Sequence, residues 1–109
     1  MIKRMASNND VQAGLHDTTI SKPYQAGSFQ RTDILDNKGV GIGHISYKVE
    51  GNTLKLDMIK IDDTTFRNKG QAAKALDQVM QQTRTIKIDA MKSMDPQGRE
   101  FLKSFKNKQ

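Results

Sequence analysis

The sequence predicts an α/β (α+β) domain in which a mixed sheet contains an antiparallel hairpin and a β-α-β crossover and is closed by a C-terminal helix. Two observations predict this fold class. Between residues 44 and 61, apolar and polar residues alternate on both sides of a turn, as in two paired strands. Between residues 70 and 106, two segments with helical spacing flank a short alternating run. The predicted order is therefore strand, strand, helix, strand, helix.

Length and composition exclude several classes of protein. The 109 residues are enough for one small domain with a modest core. Cysteine is absent, so a disulfide framework, a thiolate metal site and a cysteine nucleophile are all excluded. Residues 1–10 lack the apolar run of a secretory signal, and no segment approaches the roughly 20 apolar residues that span a membrane. We therefore expect a cytoplasmic protein without a membrane partner; the alternative is a polar leader that a specialised secretion system recognises.

The positive charge is concentrated in the second half of the chain. Residues 1–66 contain eight cationic residues (Lys or Arg) and eight acidic residues (Asp or Glu). Residues 67–109 contain ten cationic and four acidic residues. Such a surface favours an anionic partner, which can be nucleic acid, an acidic protein or a phosphorylated cofactor, although solubility alone is an equally good explanation. The four Phe and two Tyr are not interleaved with cations on one strand, so nucleic acid is less favoured.

The first part of the chain has little apolar content. Residues 1–26 are rich in Asn, Asp, Gln, Thr and Ser, which predicts a flexible polar N-terminal arm. Residues 27–109 then form the single domain. Within it, residues 28–34 are predicted as a first edge strand, and the glycine-broken stretch 39–43 leads into a stronger strand.

A hairpin is the clearest local prediction. The turn Glu50-Gly51-Asn52 joins HISYKV, residues 44–49, to TLKLDMIKI, residues 53–61. In the second strand, alternation places Leu54, Leu56 and Met58 on one face, which we expect to cover the core. The opposite face then contains Lys55, Asp57, Ile59 and Ile61.

Two helices and a strand follow. Residues 70–83 are predicted as an amphipathic helix whose apolar stripe contains Ala72, Ala73, Leu76, Val79 and Met80. TIKIDA, residues 85–90, alternates as a strand. Asp95 and Pro96 form an N-cap and first helical position for a closing helix whose stripe contains Phe101, Leu102 and Phe105.

The stretch RNKGQA, residues 67–72, lies between the second hairpin strand and the first helix. A strand, helix and strand in this order form a right-handed crossover, and open sheets bind ligands at the C-terminal edge of such strands. Gly70 allows close approach of the backbone, and the N–H groups of the helix N-terminus favour an anion. Arg67 and Lys69 add positive charge, so the stretch suits a phosphate or pyrophosphate. The alternative is that Gly70 is only a turn residue.

The hairpin, the motif Arg67-x-x-Gly70-x-Ala72, the helix, TIKIDA and PQGREFLKSF together resemble the core of the GNAT superfamily of acyl-CoA-dependent N-acetyltransferases. The resemblance covers about residues 39–105. It implies acetyl-CoA as co-substrate, held through its pyrophosphate by the start of the helix and through its pantetheine arm by the exposed strand backbone near a bulge. The implied cofactor-binding residues are Met58, Ile59, Lys60, Ile61, Arg67, Asn68, Lys69, Gly70, Gln71, Ala72 and Ala73.

The resemblance also implies direct transfer of the acetyl group to an amine, so that the protein positions both substrates and one residue removes a proton. Asp57 is the candidate for this catalytic role, and the alternative is a solvated strand residue paired with Lys48. His44 and Tyr47 are lesser candidates for a proton relay. No residues follow the closing helix to form the final hairpin that shapes the acceptor site in many relatives, so we expect an open acceptor site and a lysine of a protein target as the acceptor. No metal site is predicted.

The sequence departs from the family in its closing helix. Phe101 and Phe105 stand where many relatives have a tyrosine that protonates the leaving thiolate, and a phenyl ring cannot donate a proton. The alternative function is therefore a catalytically inert module of the same fold that binds an acidic protein or nucleic acid.

Overall fold

The computed structural model of the chain describes residues 18–62 and 70–108. The strands are β1 (Thr19–Ile20), β2 (Tyr24–Ala26), β3 (Phe29–Leu35), β4 (Gly41–Glu50), β5 (Thr53–Ile61) and β6 (Lys87–Ala90). The helices are α1 (Gln71–Thr83) and α2 (Pro96–Asn107). The α/β class is confirmed, because two helices accompany one mixed sheet. In the described part of the chain, no helix is long and apolar enough to cross a membrane.

The sheet has the order β1-β3-β4-β5-β6, and β2 also pairs with β3. All pairs are antiparallel except β5 and β6, which are parallel. The parallel pair requires a crossover, and α1 provides it. Strand β6 therefore lies at one end of the described sheet, and the short strands β1 and β2 lie at the other.

Strands β1 and β2 form an interrupted edge beside β3. Thr19–Ile20 pairs with one end of β3 and Tyr24–Ala26 with the other. Between them, the Ser21 N–H donates to the Asp33 carbonyl at 2.9 Å, and the Asp33 N–H donates to Ser21 Oγ at 2.9 Å. The sheet thus begins inside the range predicted as an arm, and residues 1–17 of that range lie outside the described residues. Strand β3, predicted as an edge, has neighbours on both sides.

The predicted hairpin is confirmed, but it contains a bulge. Adjacent residues Ser46 and Tyr47 of β4 pair with Met58 and Leu56 of β5, so Asp57 is an extra residue without a cross-strand partner. A bulge shifts the alternation of side chains between the two faces by one residue.

Because of the bulge, the residues of β5 that face the core differ from those predicted. Leu54 and Leu56 are fully buried, as predicted. Beyond Asp57, Ile59 and Ile61 pack against the core, while Met58 is 39% exposed. The prediction that Met58 covers the core is therefore wrong, because the strict alternation on which it was based does not continue through a bulge.

The core lies between the sheet and the helices. Helix α1 contributes Ala75, Leu76, Val79 and Met80, so its buried stripe is displaced slightly from the predicted one, in which Ala72 and Ala73 are only half-buried. Helix α2 begins as predicted, because Asp95 Oδ1 accepts a hydrogen bond from the Gly98 N–H at 2.7 Å. The remaining buried apolar residues are Ile34, Ile42, Ile45, Tyr47, Leu54, Leu56, Ile88, Met94, Leu102 and Phe105.

Candidate functional site

The parallel strands β5 and β6 pair over only part of β5. Their register runs from Thr53 opposite Lys87 to Leu56 opposite Ala90, and the Met91 N–H then donates to the Leu56 carbonyl at 2.8 Å. Strand β5 continues to Ile61, but no described strand accompanies it on that side beyond Leu56. We call this region, beside residues 57–61, the β5 gap.

Asp57 lies at the start of the β5 gap, in the bulge. Its Oδ1 accepts a hydrogen bond from Ser93 Oγ, which belongs to the connection between β6 and α2. Among the described residues no ion pair joins Asp57 to Lys48, the alternative partner. The Lys48 Nζ lies over the Phe29 ring, 5.1 Å from its centre. In the described structure Asp57 therefore links the middle of β5 to the chain that leaves β6.

Gly70 precedes α1 in a left-handed conformation, with φ of 84° and ψ of 1°. An added Cβ would meet no atom within 4 Å, so the backbone conformation rather than crowding requires glycine. The Gly70 carbonyl accepts the Lys74 N–H at 3.0 Å, which makes Gln71, Ala72 and Ala73 the first turn of the helix. The N-terminal end of a helix carries a partial positive charge and favours an anion.

The predicted cofactor-binding residues are only partly placed. Arg67, Asn68 and Lys69 lie outside the described residues. In the strand, the Met58 side chain is exposed. The Lys60 side chain is 58% exposed, and its Nζ lies 4.0 Å from Asp62 Oδ1. Two side chains beside the gap are therefore accessible. Ile59 and Ile61, by contrast, are half-buried and pack against the core.

The lesser candidates for proton transfer are not directed at Asp57. His44 Nε2 lies 3.2 Å from Met58 Sδ. Tyr47 is buried, and burial raises the pKa of its hydroxyl, so it remains neutral at physiological pH and is a poor relay. The Phe101 and Phe105 rings stack with centroids 6.1 Å apart and contribute to packing.

Sequence reasoning missed two residues that hold the connection between β6 and α2, Ser93 within it and Arg99 in α2. Ser93 contacts Asp57, and Arg99 Nη2 donates to the carbonyls of Met91 and Lys92 at 3.0 and 3.2 Å. Both contacts join residues that are distant along the chain or in different elements, so no periodicity indicates them. Among residues 18–62 and 70–108, no cluster of His, Asp and Glu could hold a metal ion.

Comparison of the chain with protein families, with characterised proteins and with solved structures found no match.

Proposed function

We propose that the protein is an acetyl-CoA-dependent N-acetyltransferase of the GNAT type that acts on an amine, namely a lysine of a protein target. The observation that carries the proposal is the β5 gap, which opens at the Asp57 bulge in the strand that precedes a helix headed by left-handed Gly70. A bulged strand with a free side and a glycine-led helix are the two features through which the family resemblance implies acetyl-CoA binding.

The co-substrate makes two kinds of contact in this proposal. The amides of the pantetheine arm pair with the backbone of Met58–Ile61 along the β5 gap, as an added strand would. The pyrophosphate lies at the N-terminal end of α1, where the N–H groups and the helix dipole favour negative charge. Arg67 and Lys69 supply further positive charge.

The transfer is a direct attack. The neutral amine nitrogen attacks the thioester carbonyl carbon, so a C–N bond forms and the C–S bond breaks. Coenzyme A leaves as a thiolate and takes a proton from water, because Phe101 and Phe105 have none to donate. Asp57 accepts the proton that the amine loses, and positioning of the two substrates supplies much of the acceleration.

The alternative is a catalytically inert module of the same fold that binds an acidic protein or nucleic acid. The excess of cations over anions in residues 67–109 favours it. The two functions differ in one property, since only the enzyme needs to bind acetyl-CoA.

Calorimetric titration with acetyl-CoA tests the proposal. We expect a Kd on the order of micromolar, which corresponds to a binding free energy of about −8 kcal/mol. S-acetylpantetheine, which lacks every phosphate, should bind at least about tenfold more weakly if the start of α1 holds the pyrophosphate. If a folded sample binds neither compound, the inert module is the better explanation.

The role of Asp57 requires a turnover measurement. With poly-L-lysine as acceptor and thiol release as the readout, Asp57→Asn should slow transfer by about 100-fold, the usual contribution of a general base, without changing the Kd for acetyl-CoA. Ser93→Ala is the matched control, because it removes the hydrogen bond but leaves the carboxylate. If both variants lose activity equally, Asp57 acts only by holding the connection to α2.

A further inference from the structure

Strand β6 has a free edge in the described structure. The N–H groups of Lys87 and Met91 donate to the carbonyls of Asn52 and Leu56, at 3.1 and 2.8 Å. Because backbone groups alternate in direction along a strand, the N–H and C=O of Ile88 and Ala90 point away from β5. No described strand pairs with β6 on that side. The outward groups of Ile88 and Ala90 therefore form a short template for another strand.

Helix α2 forms a groove beside this edge. The groove has a volume of about 330 Å³ and is lined by Ala90, Arg99, Leu102, Lys103, Lys106 and Asn107. Ala90 belongs to β6 itself, so the groove adjoins the free edge. Leu102 adds an apolar floor, and Ile86, directly before β6, is 72% exposed. The edge thus combines backbone hydrogen-bonding groups with apolar surface.

The charged residues that line the groove are all cations. Arg99, Lys103 and Lys106 line it, and no acidic residue does. Asp89, the nearby carboxylate of β6, is already neutralised by Lys55 at 3.5 Å and by Lys106 at 3.7 Å. A segment entering the groove therefore meets a net positive field, which favours a negatively charged occupant.

We propose that the free edge of β6 binds an extended acidic segment of a partner protein, which adds to the sheet as a further strand. The outward groups of Ile88 and Ala90 supply main-chain hydrogen bonds. The acidic side chains of the segment reach Lys103 and Lys106, and its apolar side chains cover Leu102 and Ile86. The proposal does not depend on acetyl transfer, because the edge would bind such a segment in an enzyme or in an inert module.

Two other occupants fit less well. A nucleic acid would satisfy the charge, but it does not carry the repeated N–H and C=O groups that pair with a strand edge, and the groove has no aromatic side chain on which bases could stack. A second copy of this chain would add another molecule of net charge +6 to a cationic groove. Like charges therefore oppose self-association at this edge.

The test uses a fluorescently labelled peptide with four Glu-Val repeats as the probe and the whole chain as the receptor. Binding, followed by anisotropy, should be accompanied by slower hydrogen exchange at the amides of Ile88 and Ala90. Ala90→Pro should weaken binding at least tenfold, because it removes an outward N–H and leaves the bonds to β5 in place. Lys103→Glu should weaken binding several-fold, whereas Lys38→Glu, in the turn between β3 and β4, should not.

Other outcomes would overturn the proposal. Absence of probe binding would do so, as would equal binding of a probe that is N-methylated at every residue, since such a probe keeps its charge but has no backbone N–H to donate to a strand. Equal binding of Ala90→Pro would show that the edge is not used, provided that its thermal unfolding matches the wild type. If a single-stranded DNA displaces the probe and its binding depends on Lys103, the edge belongs to nucleic acid. If the chain forms a dimer in which hydrogen exchange at the Ile88 amide is slowed, the edge belongs to a second copy.

Discussion

Gly70→Asp is expected to weaken acetyl-CoA binding by about 100-fold or more, which corresponds to about 2.7 kcal/mol. The substitution acts in two ways. It places a side chain on a residue whose φ is 84°, a conformation that side chains disfavour. It also brings a carboxylate to the end of α1, where repulsion opposes a pyrophosphate. Calorimetric titration of the variant with acetyl-CoA measures the loss.

Gly51→Asp provides the matched control. Gly51 also has a positive φ, 62°, and open space around the site of a Cβ, but it lies in the hairpin turn at the opposite end of β5. The control carries the same charge change at another glycine with a positive φ, and it should bind acetyl-CoA as the wild type does. Retained affinity in Gly70→Asp would show that the phosphates bind elsewhere, and equal loss in both variants would indicate a global effect.

Gly43→Ala is expected to lower the free energy of unfolding by about 2–4 kcal/mol, at the upper end of the cost of overpacking. A Cβ on Gly43 would lie 2.0 Å from the Lys60 carbonyl oxygen and 3.0 Å from Ile61 Cα. Both are backbone atoms and cannot rotate away, so β4 and β5 must move apart. Urea unfolding followed by circular dichroism measures the change in free energy.

Gly41→Ala is the control for this substitution because it lies in the same strand. An added Cβ there meets no atom within 4 Å, and its φ is not positive, so the change should alter stability by less than about 0.5 kcal/mol. Equal midpoints for the two variants would contradict the close approach of β4 and β5. In Gly43→Ala we also expect weaker acetyl-CoA binding, since Lys60 and Ile61 border the β5 gap.

Local patterns in the sequence were sufficient to predict those elements that depend on residues close together along the chain. The hairpin turn at Gly51 and the Asp95 cap of α2 depend on residues within a few positions of one another, and both are present. The spacing of apolar residues indicated both helices, because burial of one helical face has a period that the sequence displays. The stretch RNKGQA is indicated for the same reason, because Gly70 stands between a strand pattern and a helix pattern.

Contacts between distant segments decided the rest. The Asp57 bulge exists because β4 and β5 settle into a register that leaves one residue over, and this register turned Met58 outward and Ile59 inward. Strand β1 pairs with β3 through backbone groups, which every residue carries, so no side-chain pattern indicated it. The hydrogen bond from Ser93 to Asp57 joins residues 36 positions apart. The sequence by itself thus determined the hairpin, both helices and the mixed α/β class, whereas strands β1 and β2, the strand register and the β5 gap depend on long-range pairing that only the tertiary structure decides.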